Sequence, residues 1–236
     1  THRETDVEMS HEWLDELKSI SLAVDGEVVT TGPTPTSPAY AEARRALAVA
    51  EAALREQVLA VAAQRQELPL GPEVPNYEFS EGPTDLDDGD NRVAVTLLEL
   101  FGDHDELIVY HVMFHPEDAK PCPMCSSIVD GLTGIAKHLT DRCALAVTSK
   151  APIEKLRSWA RKQEWRSLRL VSSFDTSFST DLGTEGSQGA HVPAVSVFSR
   201  EGTTAHHRYT QSADFDDGTN GGVDQIWPIW HLIDLL

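Results

Sequence analysis

The chain has 236 residues, 40% of them hydrophobic, enough for one core with appendages. Its net charge of −19 argues against nucleic acid and anionic membrane surfaces as partners, because both require a basic face. Neither a span of roughly 20 apolar residues nor the order of a signal peptide is found, so a cytoplasmic protein is expected.

Residues 1–37 read as a flexible acidic extension in which Trp13, Leu14 and Leu17 are the anchors available to a short helix. Ser37 and Pro38 then form a helix start, a capping hydroxyl followed by a proline preset for the first turn. From there to Glu67 the sequence is rich in Ala, Leu, Arg, Glu and Gln, with Leu47, Leu54, Val58 and Val61 on one apolar stripe. Such a helix is longer than a small domain needs, and a homodimer through its stripe is expected. Pro69 stops it, and residues 69–92 read as a loop linking the helix to a domain over 93–236. Within the loop, Asp85 to Asp90 lacks the glycine and glutamate spacing of a calcium loop, so it reads as a solvated acidic turn. The cluster Asp214, Asp216 and Asp217 reads the same way.

From Val93 strands and helices alternate. Leu107–Phe114 has strand character, and Ser126–Leu139 can form a helix. Between them stands Cys122-Pro123-Met124-Cys125, so that one sulfur is expected at a helix N-terminus, where free N–H groups and the macrodipole favour thiolate. Thiolate is the form that attacks disulfides and binds soft metals. Cys143 lies in an apolar run over 143–149 and reads as a buried core thiol. A helix over 152–163, with Leu156 and Trp159 inward, and a short strand at 168–172 follow. A hairpin comes last, its arms at 195–198 and 205–210. Strand, helix, strand, helix and hairpin is the order of a thioredoxin-like α/β fold: a central mixed sheet flanked by helices, here with a long N-terminal helix. Neither a nucleophile elbow nor a phosphate loop accompanies it, and a second Cys-x-x-Cys for a structural zinc finger is missing.

Several segments together resemble a bacterial thioredoxin-like family of unknown function, whose members are described as predicted dithiol–disulfide oxidoreductases. They are 63–69, 96–102, 107–114, Cys122-Pro123-Met124-Cys125-Ser126, Asp130-Gly131, His138-Leu139, 149–152, 171–173 and Ser196-Val197-Phe198. The resemblance spans roughly residues 38–236. Three departures stand out. Pro193-Ala194 replaces the family's Pro-Gly, His191 stands where an acidic residue is more common, and the family normally continues past a segment like Trp230–Leu235 into Thr-Pro-x-Gly-Arg, where this sequence stops.

In this fold the loop entering the third core strand faces the cysteines, often through a cis-proline, and Pro193 is the candidate for a cis bond. His191 would then stand close to Cys122 and Cys125. That layout resembles copper-binding thioredoxin-fold assembly factors, and two thiolates with an imidazole suit copper. The first reading is therefore a copper-dependent oxidoreductase acting on a small thiol or thioacid, its metal on Cys122, Cys125 and His191. The second is a metal-free dithiol oxidoreductase, with Cys122 attacking and Cys125 resolving. The third is a copper carrier. His207, His111 and Pro193 are candidates for the surrounding shell, although mid-strand His111 also suits the core. His138 suits the C-terminal end of its helix, and His115, on the cysteine side of its strand, is a further candidate.

Overall fold

A computed structural model describes residues 37–89, 91–185, 191–212 and Leu232. The acidic extension, the second acidic cluster and the C-terminal segment around Trp230 lie outside the described residues, apart from Leu232. The chain divides into two units, 1–67 and 68–236.

The first unit contains helix α1, Pro38–Gln66, bounded as its sequence signals predict. The Ser37 hydroxyl accepts a hydrogen bond from the Tyr40 N–H at 3.4 Å, and proline opens the first turn.

The second unit is built on an eight-stranded sheet. Its elements are β1 (Glu73–Val74), β2 (Glu78–Glu81), β3 (Val93–Thr96), α2 (Leu97–Leu100), β4 (Glu106–Val112), α3 (Pro123–Leu139), β5 (Ala144–Ser149), α4 (Ile153–Gln163), β6 (Arg169–Ser172), α5 (Phe178–Asp181), β7 (Ala194–Glu201) and β8 (Thr204–Ser212). The spatial order is β1-β8-β7-β4-β5-β6-β2-β3. At the centre β4 runs parallel to β5 and antiparallel to β7, and β7 is antiparallel to β8. Numbering the four core strands β4, β5, β7 and β8 as one to four gives the order four-three-one-two, with the third strand reversed. That arrangement, with α3 following its first strand, is a thioredoxin-like fold. Two apolar clusters surround the sheet. One holds Tyr110, Val112, Ile128, Val129, Leu156 and Trp165, the other Phe79, Phe101, Leu107, Val109, Phe178 and Phe198. Alternation along β4 supplies both, as the two-residue period of a strand covered on both faces requires.

Residues 69–92 are not the plain loop their composition suggests, because β1 and β2 lie within them. Four residues apart, these strands pair at distant places, β1 with β8 and β2 with β6. Four extended steps cover at most about 14 Å, whereas six strand spacings in a flat sheet cover about 29 Å. The sheet therefore curls until its two ends come near. Gly71 allows the approach on one side, since a Cβ there would lie 1.7 Å from the His207 carbonyl oxygen.

Past β2 the chain wraps around Arg157 of α4. This guanidinium is buried, 2% exposed, and donates to the carbonyls of Pro83, Asp85, Leu86 and Gly89. The acidic turn is thus held through its backbone carbonyls as well as by the Asp87 carboxylate, which pairs with Arg166 at 2.8 Å, and α4 buries Arg157 along with Leu156, while Trp159 is half-buried.

Candidate active site at one end of the sheet

The Cys-x-x-Cys lies beyond the C-terminal end of β4. The Cys122 N–H donates to the Met113 carbonyl at 3.0 Å, turning the chain so that Cys122 caps α3. The helix begins at Pro123, earlier than residue 126, because proline preorganises its first turn without losing an intrahelical N–H bond. Cys122 is half-buried, and its carbonyl accepts from the Ser126 N–H at 3.0 Å. Cys125, one turn further in, is 1% exposed. Burial pushes its thiol up to about 12, against opposing pulls from the Tyr110 hydroxyl and the Met113 N–H, while the neighbouring Cys122 adds to the rise. Both cysteines are free thiols, as is Cys143, which is buried as its apolar run predicts.

His191 stands at the same end of the sheet, just ahead of β7, whose Ala194 is in register with His111 of β4. It forms a β-bridge with Glu185, and the Val192 N–H donates to the Thr184 carbonyl at 3.0 Å. The Val192–Pro193 bond is trans, contrary to the cis expectation. Trans is the isomer favoured by about 0.5–1 kcal/mol in an X-Pro bond, and the bridge to residues 184–185 holds the entry to β7 with trans geometry.

The structure brings His191 together with His115 and Glu185, their ligand atoms all within 4.8 Å of one another. The two imidazole centroids are 5.0 Å apart. Cys122 and Cys125 are not part of this group. Burial, then the neighbouring His115, holds His191 below the ordinary histidine range, against Glu185 and Asp118. Its Nε2 is buried without a hydrogen-bond partner. Sequence reading named His115 and His191 separately and missed Glu185, which lies in a stretch of Gly, Thr and Ser with no local pattern to mark it.

His111 lies near this end of the sheet, whereas His207 is in register with Phe198, opposite Leu107 at the start of β4, and the two are joined by a hydrogen-bonded chain. The Thr184 hydroxyl donates to the Ser179 carbonyl at 3.1 Å, so it accepts from His111 Nδ1 at 3.3 Å. His111 Nε2 then accepts from the Ser196 hydroxyl at 2.9 Å, Ser196 from Thr210 at 2.7 Å, and Thr210 from His207 Nε2 at 2.7 Å. The His111 ring stacks on Phe178, its centroid 5.3 Å away. Burial, with a smaller contribution from His207, lowers the His111 pKa to about 3, so it is neutral and has the core role its mid-strand position suggests. Burial also lowers that of His207.

Among solved structures, the chain is similar to a reduced 2-Cys peroxiredoxin of Plasmodium vivax, with 16% identity, a TM-score of 0.47, and coverage of 70% of this chain and 96% of that one. Reduced Prx3 of Vibrio vulnificus in complex with hydrogen peroxide shares 16% identity at a TM-score of 0.48, over 72% of this chain and 99% of its own. Mycobacterium tuberculosis AhpC shares 13% at 0.47, over 71% and 93%. No curated protein matches. The model of a bacterial protein family of unknown function, DUF899, matches residues 29–236, nearly the whole of the sequence, and the chain belongs to that family.

Proposed function

We propose that the protein is a dithiol–disulfide oxidoreductase in which Cys122 is the attacking sulfur and Cys125 the resolving one. The observation that carries this reading is the asymmetry of the pair. Cys122 is half-buried at the N-cap of a 17-residue helix, and Cys125 is buried with its proton retained. In the reaction, Cys122 thiolate attacks one sulfur of a disulfide, forming a mixed disulfide and expelling the other sulfur as thiolate. Cys125 loses its proton and attacks Cys122, which releases the second thiol. The substrate disulfide is reduced by two electrons, and the Cys122–Cys125 dithiol is oxidised by two. A second dithiol must return those electrons for turnover.

The test uses the full chain and an aromatic disulfide whose thiolate product is coloured. The wild type should release two coloured thiolates per chain. Cys125→Ser should release one and retain a stable mixed disulfide, seen as a mass increase, because the hydroxyl cannot resolve it. Cys122→Ser should fall by at least about 100-fold in rate, since the thiol left behind is the one whose buried proton suppresses nucleophilicity. Full two-thiolate release by Cys125→Ser would sink the proposal.

A second reading keeps copper, on Cys122, Cys125 and His191, with oxidation of a thiol or thioacid. It is favoured by the unpartnered His191 nitrogen and disfavoured by the buried, protonated Cys125 and by the grouping of His191 with His115 and Glu185. About one copper per chain in protein purified without chelators, lost on Cys-to-Ser change at either position, would support it.

A further inference from the structure

We propose that His115, Glu185 and His191 form a binding site for one divalent transition-metal ion, separate from the dithiol. Two imidazoles and one carboxylate are a donor set of intermediate softness. It suits zinc, iron(II), cobalt or nickel better than copper(I), which prefers sulfur, or magnesium and calcium, which prefer oxygen. Ligand atoms about 2.1 Å from a common ion stand roughly 3.0–3.5 Å apart. The three side chains, within 4.8 Å of one another, need only a small closing movement.

Each ligand is carried by anchored backbone. The His115 N–H donates to Asp118 Oδ2 at 2.7 Å, and its carbonyl accepts from the Asp118 N–H and from Lys155 Nζ. Glu185 and His191 face each other across their bridge, with the Glu185 N–H donating to the Ser179 carbonyl at 3.1 Å. The same Ser179 carbonyl accepts the Thr184 hydroxyl that holds His111, so the buried chain of hydroxyls stiffens the segment that carries the carboxylate. Thr180 Oγ1 and Lys150 Nζ both approach Glu185 Oε2, at 3.2 and 3.4 Å, which leaves Oε1 to the ion. Lys150 is the cation that competes with the metal. It is itself held by the carbonyls of Phe174 and Thr176, at 3.3 and 3.2 Å.

An ordinary ion pair between Lys150 and Glu185 would explain the position of the carboxylate. It would not explain why two histidines converge on it, or why His191 Nε2 is buried with no hydrogen-bond partner. A bound cation would satisfy that nitrogen. Three protein ligands leave coordination positions open, the condition of a site able to take an exchangeable fourth ligand.

The test is metal binding by full-length protein stripped with chelator, using zinc for affinity and cobalt(II) for spectroscopy. The expected result is one zinc per chain. Cobalt should give visible absorption without an intense thiolate-to-metal band. Changing an outer-sphere partner of a metal ligand already weakens affinity 10- to 100-fold, so His115→Ala, His191→Ala and Glu185→Gln should each weaken zinc by at least about 100-fold. The Cys122→Ser/Cys125→Ser double variant should bind zinc as the wild type does. Melting curves establish that each variant is folded, and His115→Gln replaces His115→Ala if that one is not. Undiminished zinc binding in folded variants of all three residues would overturn the proposal. So would loss of zinc in the cysteine double variant, or no zinc binding by the wild type. The dithiol assay is independent of all these outcomes.

Discussion

His111 is a histidine that the native state cannot protonate at ordinary acidity. Its ring is enclosed by Phe178 and two hydroxyls, and its native pKa of about 3 lies far below the 6.5 of an unfolded chain. Above pH 6.5 both states are neutral there and the residue adds no pH dependence. As pH falls below 6.5 the unfolded state binds a proton that the native state refuses, so stability drops, on the order of 1 kcal/mol per pH unit, until about pH 3. Urea melts of wild type and His111→Gln between pH 7 and 4 should show a shallower acid slope in the variant, with lower stability at pH 7 from the lost hydrogen bonds. Parallel slopes would refute the assignment. At this scale the sequence was informative where chemistry is local. Cys122 and Cys125 are marked by spacing and by the strand before them, and His111 by its place inside an apolar run. Glu185 was not legible, because its relation to His115 and His191 exists only once β4 and β7 lie side by side.

Among the elements, α4 shows how a helix can bury a charge. Arg157 stands next to the inward Leu156, and it too is buried because four carbonyls of the 83–89 segment converge on it. Arg157→Met should lower stability by about 1–3 kcal/mol, since the Pro83 and Asp85 carbonyls would lose this donor while those of Leu86 and Gly89 keep Arg161. Gly82→Ala should reproduce part of the loss. Its Cβ would fall 2.5 Å from Arg157 Cδ, and the guanidinium is held too firmly to swing away. Denaturant midpoints for the two variants and their combination check this. The double variant should be less destabilised than the sum of the singles, because both break one contact set. The strands within 69–92 are not legible in the sequence. Strands of two and four residues amid prolines and aspartates carry too few alternations to show a period, and their pairing partners are remote in sequence. The strands from β4 to β8 were legible, because apolar runs bounded by turns specify them locally.

At the scale of the molecule, α1 extends for about 44 Å at 1.5 Å per residue. Leu47, Leu54 and Val58 of its stripe are exposed within the single chain. We predict a homodimer through this stripe, since an apolar row on a helix this long is stabilised by a partner surface. Light scattering should give twice the chain mass, and Leu47→Glu with Leu54→Glu should halve it while leaving the dithiol reaction intact. A wild-type monomer would count against the expectation. The curled sheet has a further consequence, which concerns the order of events in time. Glu73 pairs with His206 near the far end of the same unit, while Ser80 a few residues on pairs with Ser172. A chain emerging from the ribosome N-terminus first cannot make either pairing until much of the rest has been synthesised. Contacts so distant in sequence are slow to form and leave sheet edges open meanwhile. The segment that fastens the finished molecule is thus among the first made and the last to find its place, and its registry should gate the arrival of the native state.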